Sequence, residues 1–176
     1  MINSTYILII ILLLAFLFLL YNIIVWLIVR VPHVKSSQER LTLIFQNLKI
    51  NYNSNIYELG CGTAEFLFQA EKYQSASLVG FELSPLLCGY TKLKTKFKKS
   101  KVKIKFQNFL KADLSQADII YMFLVDQAVQ QAWQKIKQET KLGTIVIILA
   151  DQIKDVQPDK IIDINNSQTK IYFYKV

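Results

Sequence analysis

A chain of 176 residues with a formal net charge of +8 and 52% apolar residues fits one globular domain plus an appendage. Residues 1–29 contain no Asp, Glu, Lys or Arg, so all charge falls on residues 30–176, a stretch long enough to bury a core of its own. The cysteines Cys61 and Cys88 exclude a disulfide scaffold and agree with a reducing compartment, and no cluster has metal-ligand spacing.

The segment Tyr6–Val29 reads YILIIILLLAFLFLLYNIIVWLIV, with Asn22 as its strongly polar member. As a helix it reaches about 36 Å, enough to cross a hydrocarbon core of roughly 30 Å with some tilt. Tyr21 and Trp26 suit the aromatic belt of a membrane interface. A cleaved signal peptide is disfavoured: the apolar run is too long, no basic segment precedes it, and no small-x-small site follows. Arg30, Lys35 and Arg40 follow the helix closely, so the positive-inside rule predicts the N-terminus outside and residues 30–176 in the cytoplasm. The expected organisation is a transmembrane anchor over 1–30, a linker and helix over 31–54, and a third unit over 55–176.

After the linker, with Pro32 as a helix stop, Ser36 or Ser37 caps a helix to about Leu48 that carries Leu41, Ile44, Phe45 and Leu48 on one face. From Asn55 onward strands and helices alternate. IYEL runs through a glycine turn into the helix AEFLFQAEKY, and SLVGFE meets Ser84-Pro85 and a helix through about Lys98. The apolar positions of that helix, Leu86, Leu87, Tyr90, Leu93 and Phe97, have helical spacing. KVKIKFQ and ADIIYMFL are the third and fourth strands. A helix from Asp126 to Thr140 buries Val129, Ala132, Trp133 and Ile136, Gly143 stops it, and TIVIIL is the fifth strand. DKIIDI and TKIYFYKV read as a closing pair of strands. The fold class is therefore α/β: a Rossmann-like, mostly parallel sheet with a C-terminal antiparallel hairpin, preceded by one transmembrane helix.

The turn Glu58-Leu59-Gly60-Cys61-Gly62-Thr63-Ala64 follows the first strand and opens a helix, where such a sheet binds nucleotide-like ligands. A dinucleotide fingerprint would need glycine at the position of Glu65, whose charge also opposes a pyrophosphate. Glu58-x-Gly60-x-Gly62-x-Ala64 instead resembles the first motif of class I methyltransferases, which implies a carboxylate at Glu58 for the cationic sulfonium and aminoacyl end of S-adenosylmethionine and one at Glu82, ending the second strand, for its two ribose hydroxyls. Gly60, Cys61 and Gly62 supply the backbone that passes close to the ligand. Asn108 and Phe109, after the third strand, are the candidates for the adenine, with Leu83 as an alternative packing surface.

With these residues in hand, the chain resembles the single-pass membrane-tethered protein-lysine methyltransferases related to ATP synthase c-subunit lysine N-methyltransferase and adenine nucleotide translocase lysine N-methyltransferase. YELGCGTAEF, VGFELSPLL and QNFLKADLSQADIIYMFL carry the resemblance, with Glu82 and Pro85, then Asn108, Phe109, Asp113 and Leu114, as its telling pieces. It implies a class I methyltransferase over 55–176, S-adenosyl-L-methionine as cofactor, and a membrane-associated protein as methyl acceptor. Two departures stand out. The family's Pro-Tyr-Val-Pro-Thr-like segment is Pro32-His33-Val34-Lys35-Ser36 here, and its Asp-Gly after the second glycine is Thr63-Ala64.

Asp126, after the fourth strand, either orients or deprotonates a lysine ammonium or caps a helix, and the cap is favoured. His33 reads as a linker residue and Cys61 as packing. Lys92, Lys94, Lys96, Lys98, Lys99, Lys101, Lys103 and Lys105 form a basic run. Solvated lysines protecting an edge strand explain it, and so does contact with anionic lipid. Without interleaved aromatics it gives no reason to expect nucleic acid. Methylation of a lipid or quinone, and a non-catalytic binding module that keeps the fold, remain as alternatives to protein-lysine methylation.

Overall fold

The computed structural model describes residues 4–29, 37–73, 75, 77–164 and 167–176, without the side chains of 25–29. The expectations placed on Trp26, Pro32, His33 and Ser36 lie outside the described residues. Helix α1 (Ser4–Val29) is long and apolar enough to cross a membrane, with a mean hydropathy of 3.1 over Ser4–Ile24. Asn22 satisfies its amide inside the helix by donating from Nδ2 to the Phe18 carbonyl at 2.7 Å, which lowers the cost of an amide in an apolar setting.

Helix α2 (Gln38–Asn47) starts at Ser37, whose hydroxyl accepts from the Arg40 N–H. Leu41, Ile44 and Phe45 are its buried face, and Phe45 stacks between Phe66 and Tyr73. Strand β1 (Asn55–Leu59), α3 (Glu65–Ala70), β2 (Ser77–Glu82), α4 (Pro85–Phe97), β3 (Lys103–Phe106), β4 (Ile119–Met122), α5 (Asp126–Glu139) and β5 (Ile145–Leu149) then alternate. β6 (Lys160–Asp163) and β7 (Lys170–Lys175) complete a seven-stranded sheet of order β3-β2-β1-β4-β5-β7-β6. β1 to β5 are parallel, whereas β7 runs antiparallel to both β5 and β6. The sheet grows from β1 through β2 to β3, then restarts on the other side of β1 with β4. That reversal opens a crevice at the carboxyl ends of β1 and β4, which is where open α/β sheets bind ligands.

Both faces of the sheet are covered. One core joins Leu41, Ile44 and Phe45 of α2, Phe66 and Leu67 of α3 and Cys88 of α4 to the strands. The other packs Val129, Ala132, Trp133 and Ile136 of α5 against Leu59, Ile120, Met122, Val146 and Ile148. The fully apolar runs of β4 and β5 follow from this, since strands buried on both faces cannot alternate.

Two elements differ from their expected form. Gly143 does not stop α5, which ends at Glu139 with Thr140 as its cap; Gly143 takes a left-handed φ of +91° in the turn into β5. The spacing in α4 is helical, but its stripe faces outward: Leu86, Tyr90, Leu93 and Phe97 are 51%, 59%, 53% and 80% exposed. The inner face of α4 is Cys88 and Thr91.

Candidate functional site

β1 delivers Glu58 and Leu59 into a turn that bends sharply enough to need left-handed backbone three times, at Gly60 (φ +72°), Gly62 (φ +48°) and Ala64 (φ +55°). At Gly60 a side chain is excluded twice, by φ and because a Cβ would meet Leu124 Cδ2 at 2.7 Å. Gly60 and Cys61 both donate their N–H to the Phe81 carbonyl at 2.9 Å, which fastens the turn to β2. Ala64, as a non-glycine residue in that conformation, bears strain.

Glu82 ends β2 and reaches back across the turn. Its Oε2 accepts from the Gly62 N–H at 2.8 Å and its Oε1 from the Ser84 N–H at 2.7 Å. Two backbone donors therefore fix the carboxylate, and each oxygen keeps a further lone pair for a ligand hydroxyl. Glu58 is buried. Its Oε2 has no hydrogen-bond partner, while the Leu67 N–H at the start of α3 donates to the carboxylate. Burial raises its pKa well above the ordinary carboxylate value; the Leu67 hydrogen bond and the Lys94 charge oppose this, and Glu65 and Glu82 reinforce it.

α4 clamps the same turn from outside. Thr91 Oγ1 donates to the Gly62 carbonyl at 2.7 Å in a buried bond. Lys94 Nζ reaches the Thr63 carbonyl at 3.1 Å and Glu65 Oε1 at 2.6 Å, and lies 4.5 Å from the centre of the Phe68 ring. Thr91 did not stand out in the sequence, and Lys94 did so only as one lysine of the basic run. The available signal was a threonine three residues beyond Cys88, on the helix side opposite the apolar stripe.

The other expected residues divide. Leu83, Asn108 and Phe109 are half-buried at the carboxyl ends of β2 and β3. Asn108 Oδ1 already accepts from the Leu110 N–H at 2.9 Å, opening the short 3-10 turn Phe109–Lys111. Phe109 packs against the α5-side core. The Cys61 side chain points into the core, and a Cβ built on Gly80 would lie 2.6 Å from its Sγ. Asp113 accepts from the Ser115 N–H, and Leu114 is buried beneath it.

The capping role expected of Asp126 is not observed. Val125 holds the N-cap position of α5 without a side-chain bond, and Asp126 lies in the first turn. Its Oδ2 pairs with Lys154 Nζ at 2.7 Å and its Oδ1 accepts from Gln130 Nε2 at 2.9 Å. The Lys154 and Gln130 hydrogen bonds hold its carboxyl below the ordinary range. Asp151, just beyond β5, is raised by burial and by the Asp126 charge. Among the described residues no group of three His, Cys, Asp or Glu side chains is placed to hold a metal ion.

A sheet of this order, with a glycine turn after β1 and an acid ending β2, defines a class I methyltransferase, for which S-adenosyl-L-methionine is the cofactor. Residues 58–160 match the family model described as the ANTKMT methyltransferase domain. The chain belongs to that family and is an S-adenosylmethionine-dependent methyltransferase. A protein named protein-lysine N-methyltransferase from Saccharolobus islandicus (strain REY15A) is 25% identical over 154 residues, 83% of this chain and 94% of the relative. An RNA methyltransferase from Salinibacter ruber, solved with S-adenosyl-L-homocysteine, shares the fold with a TM-score of 0.75 at 19% identity, covering 81% of this chain and 93% of that one. A methyltransferase from Thiobacillus denitrificans, also solved with S-adenosyl-L-homocysteine, gives 0.57 at 17% identity, over 67% and 50%. At such identities these two likenesses concern the fold.

The residues present fit the cofactor. A buried carboxylate oxygen without a partner stands at the end of β1, a second carboxylate is held in place at the end of β2, and the turn between them exposes backbone at Gly60. Such an acid-rich, backbone-lined crevice suits a cationic ligand rather than an anionic one.

Proposed function

We propose that this protein is a membrane-anchored protein-lysine N-methyltransferase whose catalytic domain faces the cytoplasm. The likeness to a protein-lysine N-methyltransferase over 83% of the chain carries the choice of acceptor. α1 supplies the anchor, and Arg30, Lys35 and Arg40 after it supply the orientation. Residues 1–30 are the anchor, 31–54 the linker and first helix, and 55–176 the methyltransferase domain. The exposed lysines of the run, Lys92, Lys96, Lys98, Lys99, Lys101, Lys103 and Lys105, add attraction to anionic headgroups, at about 1 kcal/mol for each one near the surface.

In this reading Glu82 takes the ribose hydroxyls, Glu58 faces the cationic end, and Gly60, Cys61 and Gly62 pass their backbone along the ligand. Asn108 offers the adenine a hydrogen bond, and Leu83 and Phe109 offer it apolar surface. When bound, the cofactor supplies a methyl group on a positively charged sulfur, ready for in-line displacement. The protein's task is to deliver a neutral amine to that line. A lysine ammonium is attracted by Asp126 and Asp151 beside the carboxyl ends of β4 and β5, and must lose its proton to solvent before its lone pair can form the N–C bond as the S–C bond breaks. Asp126, held low by Lys154 and Gln130, is a weak proton acceptor, so it positions the ammonium rather than deprotonating it.

Incubating membranes that contain the protein with methyl-labelled cofactor tests the acceptor. Label on lysine in protein hydrolysates is the expected result. Label in the solvent-extractable fraction would replace the proposal with lipid or quinone methylation. Absence of label, together with no heat on titration of S-adenosylhomocysteine, would leave a non-catalytic binding module.

A further inference from the structure

α4 has two working faces. Thr91 and Lys94, on its inner side, hold the glycine turn. Leu86, Tyr90, Leu93 and Phe97 follow one another at i, i+4, i+7 and i+11, so they form a single stripe along the outer side. All four are more than half exposed, and none is among the residues of either core. Soluble surfaces scatter single exposed apolar residues, but a continuous stripe of four large ones along a helix marks a contact. A Cβ on Gly89 would meet nothing, so that flank is open as well.

The charges around the stripe choose its occupant. Exposed Lys92 and Lys96 lie on one side of it, exposed Lys98 on the other, and Lys99, Lys101, Lys103 and Lys105 continue through the following loop and β3. Within the run Lys94 is drawn inward, to Glu65, while Lys98 and Lys105 stay exposed with their ammonium groups 5.4 and 5.6 Å from the Phe68 and Phe81 ring centres. No Asp or Glu occurs from Ser84 to Lys105. An apolar stripe bordered by cations is the pattern of a helix lying in the interface of an anionic bilayer, with the aliphatic lysine stems along the acyl boundary and the ammonium groups among headgroup phosphates.

We propose that α4 is an interfacial helix that lies on an anionic lipid surface through Leu86, Tyr90, Leu93 and Phe97. This inference rests on the membrane-anchor reading for its tether. Residues 30–37 separate α1 from the start of α2, which limits the spacing to about 28 Å even when fully extended. A contact too weak to hold a free protein on a membrane becomes intramolecular at that distance. Because α4 begins directly after Glu82, docking by its outer face sets the mouth of the cofactor crevice at the bilayer surface. The enzyme is thereby oriented toward acceptors at or near the membrane plane.

The test uses the full chain carrying Trp26→Phe, with and without Tyr90→Trp, reconstituted into vesicles of brominated phosphatidylcholine, with or without phosphatidylglycerol. The Trp26→Phe parent gives the baseline of the buried Trp133. The expected result is a blue-shifted emission from the introduced indole, quenched by the brominated chains when phosphatidylglycerol is present. Quenching should weaken without that lipid and be lost on Leu93→Ser with Phe97→Ser. Leu93→Trp in place of Tyr90→Trp should read the same depth and guards against one poorly folded variant. Emission that stays red and open to aqueous iodide in anionic vesicles would overturn the proposal. So would a shift that appears in detergent in proportion to protein concentration, which would make the stripe a contact between copies. Alkaline carbonate washing separates the two readings. Quenching in a chain the wash removes retires the spanning anchor and keeps the α4 contact, whereas resistance to the wash without quenching does the reverse.

Discussion

Ala64 concentrates the residue-scale tension of the glycine turn. It is fully buried, yet it holds a φ of +55° that costs a non-glycine residue about 1 kcal/mol. Ala64→Gly relieves that strain and gives up one methyl contact, so a net stabilisation of up to about 1 kcal/mol is expected, read as a shift in urea midpoint. Glu58 gives a signed pH dependence. Its folded pKa is raised from the ordinary 4.5, so its contribution to stability is greatest below the unfolded value and is lost as pH rises through the folded value. Glu58→Gln keeps an acceptor for the Leu67 N–H and removes that loss. The variant should therefore gain on the parent as pH is raised from mildly acidic to neutral, in cofactor-free denaturation at each pH; a constant difference across the range would contradict the assignment. Glycine spacing and strand ends located Glu58 and Glu82 in the sequence because both features are local. The Asp126 role was harder to read, because a side chain's long-range partner, here Lys154, is set by tertiary packing.

At the scale of elements, α4 shows what periodicity can and cannot say. The recurrence of Leu86, Tyr90, Leu93 and Phe97 correctly predicts a helix, since 3.6-residue spacing is a property of the backbone. It does not say what covers the stripe, and here the protein itself buries the opposite side. The clamp from that side is testable. Thr91→Val preserves shape but leaves the buried Gly62 carbonyl without its donor, at a cost of about 1–3 kcal/mol. The turn should loosen with it, so S-adenosylhomocysteine affinity measured by calorimetry should fall, while Thr91→Ser restores much of it. Unchanged affinity in a destabilised Thr91→Val chain would make the bond purely structural.

For the whole molecule, the order of helices and strands was legible because each strand is a short apolar run bounded by turn residues, and the crossover rules then leave few sheet orders. The placement of β7 between β5 and β6 was not, since a hairpin read from sequence has no stated neighbour; the register Ile147 with Phe173 and Ile162 with Ile171 decides it. Cofactor binding stabilises the folded domain by mass action. At S-adenosylhomocysteine about 100-fold above its dissociation constant the gain is about 2.7 kcal/mol, or roughly 5–10 °C in Tm for a domain of this size. The Glu82→Ala chain, lacking the carboxylate held by Gly62 and Ser84, should show little of that shift at the same concentration in a thermal melt.

The packing of Cys61 against Gly80 has a practical side. Burial pushes the Cys61 thiol far above its usual range and raises Cys88 as well, so neither forms a thiolate near neutral pH. These are the chain's two cysteines, and both are buried. Alkylating reagents should leave the native protein unmodified and its cofactor binding intact. A single cysteine engineered onto an exposed surface would then be the one reactive thiol, available for a spin label or a crosslinker without first removing the natural pair.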